Sequence, residues 1–324
     1  MKKWFRMVVA FTVLSVLAAC GSENASSEES ATEGYRIGAT QIVEHPSLDQ
    51  AYEGFKDALE DLGLDVEYDF QSAQNDQNNV KPISDGFVSD DVDLIFANST
   101  PSALGALQAT NDIPIVFTSV TDAEEAGLVE AGDNITGVLD LHPDAIKKTV
   151  EFIDTNFPDA VVGTVYNSGE QNSVKQVEAV EQAMEGTSLS LAERTVGNSS
   201  EVQQAVTTLS GEADVLYILT DNTVVSAIDS VIGVANEQGI PLMVGEPESL
   251  EKGAFMTYGI DYHTIGYRAG EMAAEILEGK KAVNDIPIED PPEIQLFINK
   301  QAAEEQGVEW DDSWNEETEF IETE

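Results

Sequence analysis

Cysteine is nearly absent: the 324 residues contain one, Cys20. A single thiol closes no intrachain disulfide and builds no multi-thiolate zinc site. Histidine is almost as scarce, with three in the chain, which leaves little for a histidine-rich metal centre. Positive charge is short as well, since 15 Lys and Arg stand against 61 Asp and Glu, for a formal charge of -46. So acidic a chain repels phosphate backbones, which argues against a nucleic-acid partner, and it avoids lying flat on anionic lipid. The apolar stretch from Met7 to Ala19 is shorter than the roughly 20 residues a membrane helix needs.

Hydrophobic residues make up 42% of the chain, enough for ordinary cores, so the acid excess is not a mark of disorder. The length suits two domains. Lys2, Lys3 and Arg6 followed by the Met7–Ala19 stretch have the form of a secretory signal, expected over 1–19. The stretch closes on Leu17-Ala18-Ala19-Cys20, which resembles the lipobox of bacterial lipoproteins. That resemblance implies a diacylglyceryl group on the Cys20 thiol, an extracytoplasmic location and anchorage to the cell membrane. Residues 20–34 then read as a lipidated cysteine and a polar tether without periodicity. Acids are spread along the whole sequence rather than gathered in a tail, a pattern that points to a salty environment in which repulsion is screened.

From Tyr35 onward, short Val- and Ile-rich runs alternate with amphipathic ones. Strands are expected at 35–41, 65–71, 93–98, 113–118, 135–139, 160–166, 188–196, 214–219, 240–245, 254–260 and 294–299. Helices are expected at 47–62, 76–89, 101–110, 143–156, 173–185, 201–210, 223–238 and 262–278, with Gly63, Gly239 and Gly279 as stop signals. Strand–helix alternation implies an α/β fold with parallel sheets and right-handed crossovers. Because the pattern runs twice, two Rossmann-like lobes fit better than one very wide sheet. The expected division is 35–141 plus 261–287 for the first lobe and 142–260 plus 288–324 for the second, with three crossings. The acidic stretch 301–324 reads as a last helix or an extended arm.

Several segments together resemble the tryptophan/tyrosine-type family of ABC-transporter substrate-binding lipoproteins. They are Glu44-His45-Pro46, Asp76-Gln77-Asn78-Asn79, Ser99-Thr100-Pro101, Ile113 to Thr118, Tyr166-Asn167, Asn172-Ser173 and Thr220 to Ser226. The resemblance covers nearly all of 35–300. It implies a periplasmic-binding-protein type I fold with three hinge crossings and delivery of a small solute to a permease driven by a cytoplasmic ATPase. It also implies an aromatic amino acid as solute. One departure stands at Gly245-Glu246-Pro247-Glu248, where relatives commonly carry Gly-Asp and a small residue.

In open α/β sheets, ligands sit at the carboxyl ends of strands beside helix N-termini. Four places combine these features. At Ser99-Thr100-Pro101-Ser102, Thr100 can cap a helix whose free N–H groups suit a ligand carboxylate. At Thr220-Asp221-Asn222, Asp221 can cap the next helix or meet a ligand ammonium, and the second role is preferred. At Tyr166-Asn167, with Asn172 and Ser173 behind, the amide suits a zwitterion and Tyr166 offers an aromatic wall, while Glu170 is a weaker candidate. Thr40, Gln41, Glu44 and His45 follow the first strand; His45 can bond a ligand or merely fix its loop, and both remain open. Ser119 and Thr121 complete the first lobe's ring, Glu246 sits on the rim of the second, and Asp261 is a cleft acid or a hinge anchor.

No GxSxG, GxGxxG or P-loop lysine motif is present, so no enzyme and no cofactor are expected. A monomer that closes on one small molecule is expected. Sugar or nucleoside binding, and display as a ligand receptor for a membrane sensor, are the alternatives. Trp4, Trp310 and Trp314 lie outside the expected cleft, which weakens a sugar.

Overall fold

The computed structural model describes residues 34–316 and 318–323. The expected signal segment 1–19, Cys20 and the tether up to residue 33 lie outside them.

In chain order the strands are β1 Tyr35–Gln41, β2 Val66–Ser72, β3 Leu94–Asn98, β4 Ile115–Val120, β5 Ile135–Leu139 and β6 Val161–Tyr166. Then come β7 Ser190–Thr195, β8 Val215–Ile218, β9 Leu242–Val244, β10 Met256–Gly259, β11 Gln295–Ile298 and β12 Thr318–Phe320. The helices are α1 Pro46–Asp61, α2 Gln77–Ser89, α3 Thr100–Ala109, α4 Leu128–Ala131, α5 Ala145–Asn156 and α6 Gln171–Met184. They continue as α7 Val202–Leu209, α8 Asn222–Val225, α9 Ile228–Gln238, α10 Glu248–Glu251, α11 Tyr262–Leu277 and α12 Lys300–Glu305. The helix expected over 223–238 is therefore two pieces. Ser226 donates its hydroxyl to the Thr223 carbonyl at 2.8 Å, and Ala227 leaves helical geometry, which ends α8 before α9 begins.

Two sheets form. The first has the order β2-β1-β3-β4-β5 and is wholly parallel. The second runs β12-β11-β10-β9-β8-β6-β7 and is parallel except where β10 meets β11. The strands alternate between two cores, as strands covered on both faces must. In the first sheet Ile37, Leu94, Phe96 and Val116 face α1 and α11, while Ile95, Ala97, Ile115 and Phe117 face α2 and α3. In the second, Leu216, Ile218 and Val244 face α7 and α9, while Val215, Tyr217 and Met243 face α5 and α6. The C-terminal stretch supplies both a short helix and an edge strand, and Trp314 is buried against Phe152 and Phe255.

Strands β1 to β5 make the first sheet and β6 to β12 the second. Helix α11 leaves the second sheet to pack on α1, where the backbones touch. A Cβ on Gly266 would fall 1.9 Å from the Ala51 carbonyl oxygen, and one on Gly54 2.1 Å from that of His263. Residues 288 and 289 were expected in the second lobe. Glu289 instead bridges Val138 of β5, and Arg268 of α11 grips its carboxylate with two bonds of 2.8 and 2.7 Å.

Candidate functional site

The carboxyl ends of β1, β4, β5, β8 and β9 converge on one cavity, closed from the second lobe by the start of α6 and by α8. Its lining is His45, Leu48, Ser119, Thr121, Asp140, Asn172, Thr220, Asn222, Val225, Glu246 and Tyr262. The cavity is small, about 10 Å³, so the walls stand close together. No lysine or arginine is in the lining.

Seven expected site residues meet here: His45, Ser119, Thr121, Asn172, Thr220, Asn222 and Glu246. Ser119 is held in the left-handed region at φ 57°, beside an irregularity in the β4–β5 pairing. Its hydroxyl is buried and has no hydrogen-bond partner within the protein, and the Asn172 Oδ1 is in the same position. Strain and unmet hydrogen-bonding capacity at strand ends are features of ligand sites. His45 caps α1 and bonds Asn222 across the cleft; burial lowers its pKa to about 4, so it is neutral and brings no charge.

Other expected residues serve the walls. Ser99, at φ 115°, caps α3 in place of Thr100; its Oγ accepts the Ser102 N–H and bonds the Ser102 hydroxyl at 3.0 Å. Thr100 accepts the Thr121 N–H and lines a second small crevice at the cleft rim, with Glu125, Gln171 and Lys175. Gln41 joins Asp49 and Asn98 behind the cavity. Asp261 caps α11 through the Thr264 N–H, the anchoring alternative of its two roles.

Thr40, Glu44, Tyr166, Asn167 and Asp221 lie outside the lining. Thr40 is buried within β1 and does not reach the cavity, and Glu44 points to solvent. Tyr166 packs on the second sheet's core and bonds Glu193, so it forms no cavity wall. Asp221 was expected at a ligand ammonium. It is fully buried outside the lining, with Oδ1 accepting the Val224 N–H at 2.8 Å and Oδ2 the Asn167 N–H at 2.6 Å. Asn167 in turn spends its amide on Thr223 and Gly169. Glu170 accepts four bonds from Asn222 and Thr223, which fixes the start of α8.

Sequence reasoning missed Leu48, Asp140, Val225 and Tyr262. Asp140 and Tyr262 follow strand ends, the signal used elsewhere, but sit where hinge residues were expected. Leu48 and Val225 lie one turn into helices, and no local pattern marks them. Tyr262 donates its hydroxyl to Asp140 Oδ2 at 3.0 Å, and the enclosed Asp140 carboxyl is pushed up to about 6 by burial. The acids at the cavity are thus Asp140 and Glu246, each from a different lobe.

Direct bonds already join the lobes around this cavity. Ser47 donates to Glu246 at 3.0 Å, Gln77 to the Gly169 carbonyl at 3.0 Å and Gln171 to the Glu125 carbonyl at 2.8 Å. Asn75 bonds Thr223, and Lys175 pairs with Glu125.

A profile of the family described as ABC transporter substrate binding protein matches residues 36–319. The chain belongs to that family. A protein of Clostridioides difficile (strain R20291) described as "Tyrosine-binding protein" is 43% identical to this substrate-binding protein over 315 residues, 92% of this chain and 90% of that one. A solved domain from Streptococcus pneumoniae in complex with L-Trp is 30% identical, with a TM-score of 0.83 over 89% of this chain and 99% of that one. The ligand-free, open structure of a substrate-binding protein with adhesive properties from Clostridium difficile is 38% identical but scores only 0.64, over 90% of this chain and 100% of that one. This binding protein is thus more similar in structure to the L-Trp complex than to the ligand-free, open relative. Its architecture is the periplasmic-binding-protein type I fold. The family is one of solute-binding proteins rather than enzymes. Among the described residues, no helix is long and apolar enough to cross a membrane.

Proposed function

We propose that this substrate-binding protein serves an ABC importer as an extracytoplasmic lipoprotein, held to the membrane through Cys20, and carries one zwitterionic amino acid in the interlobe cavity. The observation that carries the reading is the chemistry of the lining. Two carboxylates, Glu246 and Asp140, face one space with no lysine or arginine, and unpartnered groups on Ser119 and Asn172 share it. A ligand ammonium answers the first pair, since a buried carboxylate is costly without a countercharge. The Ser119 and Thr121 hydroxyls answer a ligand carboxylate. Leu48, Val225 and the Tyr262 ring offer an apolar surface. An aromatic side chain follows the binding described for the C. difficile and S. pneumoniae relatives. Seating one requires the narrow walls to part and re-close around it, by the population shift expected of a two-lobed carrier whose ligand touches both halves.

Calorimetry in high salt tests this with tyrosine, tryptophan, tyramine and 4-hydroxyphenylpropionate. The free amino acids should bind, and the analogues lacking either charged group should lose about a hundredfold or more in affinity. Saturable binding of a sugar or nucleoside, with no response to any amino acid, overturns the assignment.

A further inference from the structure

Glu246 and Glu248 form an unusual pair. Glu246 is 1% exposed, lies at the end of the second sheet and reaches across the cleft to the Ser47 hydroxyl at the start of α1. It also accepts the Ser249 N–H at 2.9 Å and bonds the Ser249 hydroxyl. Glu248, one residue beyond Pro247, is 9% exposed, and its Oε2 is buried without a partner. Burial raises both carboxyls, and the neighbouring Glu246 charge raises Glu248 further. Acidic and neutral groups face the pair from the elements packed against it, and Lys252 ends its own helix α10. Asp261 and Tyr262 face it from α11, Asp140 lies behind Tyr262 at the end of β5, and His45 of α1 is uncharged.

Closure therefore buries two carboxyls against an acidic surround. When the lobes part, the Ser47 contact breaks and water reaches Glu246. We propose that the Glu246–Glu248 pair couples closure to the arrival of positive charge, so that the lobes shut only when a proton or a ligand ammonium neutralises the pair. This rests on the reading of the cavity as the ligand site, and it adds selectivity: a neutral or anionic molecule of the same shape fits the walls but leaves the pair charged and the lobes apart. Burial raises both carboxyls in the shut form. The shut form thus binds more protons than the open one, and falling pH favours it.

The test is small-angle scattering of the ligand-free chain in molar salt across a pH series from mildly alkaline to mildly acidic, since a raised carboxyl takes up its proton above the usual carboxylate range. The wild type should contract as pH falls, its shut-to-open ratio changing by up to about tenfold per pH unit for one linked proton. Glu246→Gln should be contracted throughout with little pH response, and it should bind tyrosine more weakly. Ser47→Ala removes the bridging bond and keeps the charges, so it should be less contracted yet retain the pH slope. A dimension that does not change with pH in the wild type, or a Glu246→Gln curve superimposed on it, overturns the coupling. Scattering needs no ligand, so contraction on acidification in a chain that ignores tyrosine supports the coupling and sinks only the amino-acid reading.

Discussion

Asp221 and Glu246 are both buried carboxylates near strand ends in the second lobe, and their partners give them opposite tasks. Asp221 turns both oxygens to backbone N–H groups and holds α8 against the β6–α6 turn. Glu246 uses its oxygens on hydroxyls and one N–H and lines the cavity. Asp221→Ala should accordingly cost about 1–3 kcal/mol of stability, read by urea unfolding, as a lost cap and an unmet buried N–H would. Burial first, then the nearby Glu170 carboxylate, pushes Asp221 up to about 7. The folded chain keeps a proton there that the unfolded chain releases near pH 4. Stability contributed by this group is therefore full at low pH and declines as pH rises from about 4 to about 7, and the alanine variant should flatten that part of the profile.

At the scale of elements, the contact of α1 with α11 decides how the chain after β10 is tied to the first lobe. The Gly266 hydrogen stands where any Cβ would strike the Ala51 carbonyl, so this is a backbone-to-backbone fit with no slack. Gly266→Ala should destabilise the chain by at least about 2 kcal/mol through overpacking. Gly233, in α9, has nothing within 4 Å of its missing Cβ. Gly233→Ala should raise stability by about 0.5–1 kcal/mol, because it lowers the entropy lost in forming a helix. Thermal unfolding of the two variants side by side separates a packing glycine from a merely permissive one.

For the whole molecule, charge is the dominant feature: the chain holds 61 acids against 15 bases, and the cleft itself is acidic. Self-repulsion opposes compaction and opposes closure, while the bonds between lobes include only a few charges, such as Lys175 on Glu125. Salt screens the repulsion over about 10 Å at 0.1 M and about 3 Å at 1 M. The melting temperature should rise by several degrees from low to molar sodium chloride. An unchanged or falling value removes the case for a protein suited to high salt.

The sequence by itself determined the order of elements and the class of fold. Periodicity, glycine stops and β-branched runs are local, and each was enough to place strands such as Leu94–Asn98 and Val161–Tyr166. It also determined which strand ends carry polar side chains, which is why seven cavity residues were legible in advance. Only the tertiary structure decided which way those side chains turn. Tyr166, Asn167 and Asp221 satisfy the same local rule as Asn172 and Thr220, yet they lie outside the cavity lining: Tyr166 packs on the second sheet's core, Asn167 bonds the Thr223 hydroxyl and Asp221 takes backbone N–H groups. Asp140 and Tyr262 are 122 positions apart, and Ser47 and Glu246 are 199 apart. Pairing over such distances arises only when the folded chain brings strand ends and helix starts together, and no local pattern along the chain encodes it.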